Sequence, residues 1–339
     1  MNNIKNQVKD FHSNLIIDDY ITSYNLARKC DVVFAEELTP DQFDKLKVDK
    51  NNIEVLKKDQ SRVLYRTKKF NLSENDIIFC KTDLVPDLFS ILYGKSGFSN
   101  IKLLSHQAAT PSINESIFKL KPKIISKWFS INVDFKHEDL IPIPLGIANE
   151  YATENIRPND FKNFFDGNNN SFNLKKEKKI YINFNKSTNI LKREKMLNTY
   201  LTRKDITYKT DLLLSEFMID MFNHKFILSP EGRGVDTHRF WEAIYLGSIP
   251  IIENHITFGE YLKYCISHSE YGFENGVTNK ELESFDMDFS LLANSLTVSY
   301  LINKIRELKI NNELSEELSY GFKEKILKRF ISKKFKSQN

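Results

Sequence analysis

Between Phe226 and Asn254 the chain compresses an apolar strand, a glycine-bearing loop, a helix and a second apolar strand into one segment, FILSPEGRGVDTHRFWEAIYLGSIPIIEN. Phe226, Ile227 and Leu228 read as a buried strand, and Ser229-Pro230-Glu231-Gly232-Arg233-Gly234 ends it with residues that turn the backbone. Asp236 or Thr237 can cap a helix in which Phe240, Trp241, Ile244 and Tyr245 recur at helical spacing. Gly247 stands where a left-handed C-terminal cap belongs, and Ser248 to Ile252 resumes an extended, buried run. A strand, crossover helix and strand this compact implies two parallel strands. The glycine loop therefore belongs at the carboxyl edge of a sheet, where open α/β folds bind ligands.

The chemistry of that loop suits a phosphate. Gly232 and Gly234 remove side-chain bulk, while the first helical N–H groups stay free to donate and the helix dipole attracts an anion. Arg233 and Arg239 flank the point and can supply planar, charge-assisted hydrogen bonds to a diphosphate. Asp236 works against a phosphate set directly over it, and a structural βαβ turn with solvated arginines uses the same residue types.

The rest of the chain keeps the same rhythm. Asp31-Val-Val-Phe34, Asp76-Ile-Ile-Phe-Cys80 and Ile101-Lys-Leu-Leu-Ser105 read as strands alternating with polar helical stretches, and the segment from Lys123 to Asp134 continues them. Leu140 to Ile147 is extended, because two prolines exclude a helix. Asp166-Gly-Asn-Asn-Asn-Ser171 is the most linker-like composition, which puts a domain boundary between about 150 and 175. Lys179 to Phe184 opens the second half as a strand, followed by the polar loop Asn185 to Asn189 and a helical stretch bearing Arg193. The expectation is an α/β protein with an N-terminal Rossmann-like domain over 1–158, a C-terminal one over 172–320 and a basic helix over 321–339.

The pattern from Ser229 to Pro250, S-P-x-G-x-G-x-D-x-x-R-x-W-E-A-x-x-x-G-x-I-P, resembles the donor-site region of exostosin-like glycosyltransferases of the microbial surface-polysaccharide type. Asn183 to Arg193, Trp128 to Asn132 and Ile141 to Asn149 extend the resemblance over roughly the latter two thirds of the chain. The resemblance implies a GT-B architecture, two Rossmann-like domains with parallel sheets facing a central cleft. It implies a nucleotide sugar held mainly by the C-terminal domain, with no cofactor and no metal. The donor set carried over is Lys186, Thr188, Arg193, Ser229, Gly232, Arg233, Gly234, Asp236, His238, Arg239 and Glu242. Arg239 would face the diphosphate, and Glu242 would approach the ribose or sugar hydroxyls, since a carboxylate accepts two hydroxyl hydrogen bonds.

Transfer also needs a base for the acceptor hydroxyl and a site that stabilises the departing diphosphate. His106, directly after an apolar run and titrating near neutrality, is the first candidate base. Asp83 and Glu231 follow, with Asp18 and Asp19 behind them. Glu231 and Glu242 look like the paired glutamates of retaining GT-B enzymes, but they stand further apart, and the Asp236-Thr237-His238-Arg239 insertion resembles the exostosin pattern. The resemblance therefore implies an inverting enzyme, with a retaining GT-B transferase and a non-catalytic nucleotide-sugar or glycan-binding module as alternatives. The acceptor would be a growing surface polysaccharide or lipid-linked oligosaccharide.

Composition narrows the setting. A formal charge of +4 over 339 residues argues against a dedicated nucleic-acid partner, and Cys30, Cys80 and Cys265 suggest neither a disulfide framework nor a zinc site. No apolar run approaches the ~20 residues that span a bilayer, and the polar start has no secretory core. The expected location is the cytoplasm. The end from Lys323 to Lys336 carries seven basic residues and one acidic residue, with Ile326, Leu327, Phe330 and Ile331 on one helical side. That composition suits either peripheral contact with anionic lipid at the inner face of the cell membrane or a docked terminal helix.

Overall fold

A computed structural model describes residues 4–97, 100–167, 176–269 and 276–308. The chain forms two compact units, one made of Leu26–Ile143 with the described part of Ile302–Asn339, the other of Met1–Asn25 with Pro144–Leu301. The basic helix expected over 321–339 lies outside the described residues.

The first unit is built on seven strands: β1 (Val32–Leu38), β2 (Ile53–Lys58), β3 (Val63–Thr67), β4 (Ile77–Lys81), β5 (Ile101–His106), β6 (Ile125–Ser130) and β7 (Leu140–Pro142). They lie in the order β2-β3-β1-β4-β5-β6-β7. β1, β4, β5, β6 and β7 run parallel, whereas β3 is antiparallel to both β1 and β2. β4 and β5 are buried at every position, as central parallel strands covered on both faces must be. Trp128, Phe89 and Leu103 belong to the core on this sheet, and the Trp128 indole donates to Ser105 Oγ at 2.8 Å. The hairpin β2–β3 was not expected. Its outer strand carries Lys57 and Lys58 and a bulge after Val55, two devices that keep an open edge from pairing with another chain.

The second unit holds β8 (Glu177–Ile182), β9 (Ile206–Tyr208), β10 (His224–Leu228), β11 (Ile249–Glu253) and β12 (Ile266–His268), all parallel. Their order is β12-β11-β10-β8-β9. The chain leaves β8 for β9 on one side and then crosses to β10 on the other, so the strand order reverses between β8 and β10. In open α/β sheets a ligand binds outside the carboxyl ends at such a point. Both units are Rossmann-like α/β layers, one on a mostly parallel and one on a parallel sheet, in line with the expected α/β class.

The division differs from the expected boundaries. Residues 1–25 and 144–158, assigned to the N-terminal domain, pack with the second sheet instead. Val8, Leu15 and Tyr20 are buried in the same core as Phe161, Phe165 and Tyr245. The helix Ile4–Asn14 is amphipathic, and its apolar face fits either sheet as far as pattern can tell. The stretch expected as a linker begins inside the helix Pro158–Gly167, whose Phe161, Phe164 and Phe165 are buried, and then passes into residues outside the described set.

Candidate functional site

Two loops leave the switch point of the second sheet: Asn183 to Asn189 after β8, and Ser229 to Thr237 after β10. Arg193, in the helix Ile190–Leu201, ties them together. Its Nε donates to the Glu231 carbonyl at 2.9 Å, Nη1 to the Asn185 carbonyl at 2.5 Å and Nη2 to the Pro230 carbonyl at 3.3 Å. Burial, with Arg239 nearby, pushes this guanidinium down to about 10. Its planar fork suits three fixed carbonyls as an ammonium would not. Gly232 sits close under this guanidinium: a Cβ there would lie 3.1 Å from Arg193 Nη2, a tight contact.

The loop after β10 runs into the helix His238–Tyr245. The helix starts at Thr237, whose side chain makes no capping bond; its Oγ1 is buried without a hydrogen-bond partner among the described residues. Asp236, the other expected cap, faces inward: Oδ2 accepts from the Leu145 amide at 2.8 Å and Oδ1 from the Trp241 indole at 2.7 Å. Burial pushes its carboxyl up to about 7, while those two donors and the Thr237 amide pull the other way. The carboxylate is 3% exposed and engaged by these donors. His238 Nδ1 lies 2.9 Å from the Gly146 carbonyl, and that oxygen can only accept, so Nδ1 carries hydrogen.

Arg239 is more committed than its position suggested. It donates through Nη1 to the Asn183 carbonyl, lies over the Phe217 ring at 4.3 Å and pairs through Nε with Glu242 at 3.3 Å. Glu242 is 1% exposed, and its second oxygen accepts from the Ile156 amide at 3.2 Å. Arg233, by contrast, is exposed and makes no hydrogen bond or ion pair among the described residues. Lys186 and Thr188 are exposed on the facing loop, where Lys186 pairs with Glu194 at 3.5 Å and Thr188 donates to the Asn185 carbonyl at 3.4 Å.

Beside the loop, Ser229, Glu231, Glu253, His255 and Phe258 line a narrow cavity. Lys192 bridges Glu231 at 3.1 Å and Glu253 at 3.2 Å. Burial opposes its charge, but the two carboxylates together hold the ammonium above its ordinary range. Glu231 also accepts from the Asn189 amide group at 2.8 Å. Lys192 and Glu253 were missed in the sequence. Glu253 ends the apolar run Ile249 to Ile252 at the carboxyl edge, a signal that was there to be used.

Two candidate bases sit at the carboxyl edge of the first sheet. β4 and β5 register Lys81 opposite His106, so Asp83 and His106 emerge from adjacent strands. Asp83 pairs with Lys81 at 2.9 Å. His106 is buried; its Nδ1 accepts from the Gln107 amide at 2.8 Å and its carbonyl accepts from the Thr82 hydroxyl at 3.1 Å. Gln107 then reaches past β4 and pairs with both backbone groups of Glu37 at 2.8 Å. Gln107 and Asn132 have left-handed backbones, φ 74° and 51°, at the ends of β5 and β6, a strained geometry that clusters at ligand sites. Asp18 and Asp19 belong to a short 3-10 turn in the other unit, where Asp19 accepts from the Ser299 amide at 2.7 Å. Asp286-Met287-Asp288 has the Asp-x-Asp spacing of metal-dependent glycosyltransferases; here Asp288 caps a helix through Ser290 and Leu291, and Asp286 pairs with Lys225.

Among the described residues no helix is long and apolar enough to cross a membrane. No protein-family model matches the chain, and no curated protein is significantly similar to it.

Proposed function

We propose that the protein is a GT-B glycosyltransferase that moves a sugar from a nucleotide-sugar donor to a growing surface polysaccharide or lipid-linked oligosaccharide. In this reading transfer is inverting and independent of metal, and takes place in the cytoplasm. One observation carries it. At the strand-order reversal of a parallel sheet, a helix begins uncapped, with Thr237 Oγ1 buried and unpartnered and with Arg233 uncommitted beside it. A buried hydroxyl without a partner costs about 1–3 kcal/mol, and an anionic oxygen at a helix start removes that cost while taking the first amides. The donor's diphosphate has such oxygens. The sugar-transfer part of the reading draws on the long residue pattern from Ser229 to Pro250.

Calorimetric titration with UDP, GDP and CDP tests it, on the wild type, Arg233→Ala and Thr237→Val. One diphosphate is expected to bind, and Arg233→Ala to weaken it by about 10-fold or more, the worth of a charge-assisted hydrogen bond. Thr237→Val should weaken binding while leaving the free protein as stable or more so. Arg239→Ala is the poorer test, because it also removes the bond to the Asn183 carbonyl. If none of the three diphosphates binds, the reading is wrong.

A further inference from the structure

The carboxyl edge of the first sheet presents two groups able to take a proton, His106 and Asp83, in different surroundings. An amide N–H only donates, so the bond from Gln107 N to His106 Nδ1, 2.8 Å long, requires a lone pair on Nδ1. The neutral imidazole therefore carries its hydrogen on Nε2, and the nitrogen that could accept a proton is taken by the main chain. His106 is also 2% exposed. Asp83 follows Thr82 in the 3-10 turn Thr82–Leu84, its side chain is 25% exposed, and Lys81 Nζ lies 2.9 Å from one carboxylate oxygen.

We propose, on the glycosyltransferase reading of the chain, that Asp83 is the proton acceptor and His106 a positioning residue that holds the Thr82–Asp83 turn. His106 acts through its carbonyl, which takes the Thr82 hydroxyl, and through Nδ1, which fixes the left-handed Gln107 that grips Glu37. The ends of β1, β4 and β5 are thereby held together. In the reaction the acceptor's hydroxyl proton passes to the Asp83 carboxylate. The hydroxyl oxygen's electron pair forms the bond to the anomeric carbon, and the bond from that carbon to the diphosphate oxygen breaks with its pair leaving on the diphosphate. Lys81 stays paired with Asp83 and steadies the carboxylate's position before the transfer.

The test uses the full chain with UDP-glucose, UDP-N-acetylglucosamine and GDP-mannose, with water as the acceptor, across pH. Asp83→Asn is expected to lower kcat by about 100-fold or more, to leave KM for the nucleotide sugar unchanged, and to abolish the acid limb of the pH–rate profile. His106→Asn, whose side-chain oxygen can still accept from Gln107, should keep the acid limb and stay within about 10-fold of wild-type kcat. Nitrogen-15 NMR of the wild type should find His106 protonated at Nε2 and bare at Nδ1. A proton on Nδ1, or an acid limb lost in His106→Asn and kept in Asp83→Asn, overturns the assignment and leaves the transferase reading standing. Nucleotide binding without turnover of any of the three donors overturns both.

Discussion

His12 offers the most quantitative test of the second unit. The ring is fully buried, with Nδ1 2.7 Å from the Tyr20 hydroxyl and Nε2 2.8 Å from the Tyr245 carbonyl, and it stacks on Phe161 and Phe165 at 4.9 and 4.4 Å between centroids. A carbonyl accepts only, so Nε2 carries hydrogen and Nδ1 takes the tyrosine hydroxyl's. Both nitrogens are satisfied in the neutral ring. Burial is the main reason its pKa falls from 6.5 to about 3, with the Tyr245 carbonyl opposing and Lys162 adding to the fall. A histidine depressed in the folded state favours folding fully above its unfolded pKa and loses that stability as pH drops below 6.5 toward 3. At pH 5 the unfolded chain binds the proton and the folded one does not, which costs about 2 kcal/mol, 1.5 units at 1.36 kcal/mol each.

Urea denaturation at pH 7.5 and 5.0 of the wild type and His12→Gln measures this. Other titrating groups are common to both proteins, so the difference between their acid losses isolates His12. The wild type should lose about 2 kcal/mol more than the variant, although His12→Gln is the weaker protein at pH 7.5 by about 1–3 kcal/mol if its amide fails to reach both partners. Hydrogen exchange of the Ile21 amide, which donates to Tyr245 Oη at 3.1 Å, ties the change to this cluster. Equal acid losses in the two proteins would refute the argument that burial keeps this ring neutral.

Two further substitutions probe the frame of the candidate site. Arg193→Lys should destabilise the chain by about 2–4 kcal/mol in a thermal or urea melt and abolish nucleotide binding, because one ammonium cannot serve the carbonyls of Asn185, Pro230 and Glu231 together. Wild-type stability in that variant would mean that the two loops hold themselves. Gly247→Ala should cost more than Gly94→Ala: both have a left-handed backbone, φ 65° and 81°, but a Cβ on Gly247 would lie 2.4 Å from Val8 Cγ2 whereas Gly94 has open space. The backbone alone accounts for about 1–2 kcal/mol at each, and urea melts that show equal losses would remove the packing contribution.

The segment from Phe226 to Asn254 was legible because its signals are local. Strand, loop, helix and strand fall where apolar runs and turn residues put them, and Gly247 is left-handed at the helix end. The hairpin β2–β3 was not, because Glu54, Lys57 and Lys58 break the apolar pattern on an exposed edge; the turn signal was Asp59, whose carboxylate accepts from the Ser61 and Arg62 amides. Asp236 reads as a cap from its neighbours in sequence. Besides the Trp241 indole it accepts from the Leu145 amide, 91 residues away, and nothing local announces that partner.

The arginines carry the same lesson into function. A sequence gives the charge of Arg193, Arg233 and Arg239 but not where their donors point, and that depends on which carbonyls the fold leaves without partners. Past the ends of β8 and β10, the carbonyls of Asn183, Asn185, Pro230 and Glu231 accept from arginine side chains, and carbonyls outside a strand ladder need such partners. Arg193 and Arg239 are the residues long and planar enough to reach them, so each is held by the frame it holds. Arg233 is exposed in the loop itself and is not engaged by such a carbonyl, which in the proposed reading leaves it to the diphosphate. Diphosphate affinity should therefore respond to Arg233 with the fold intact, whereas the loss of Arg193 should register in stability and affinity together.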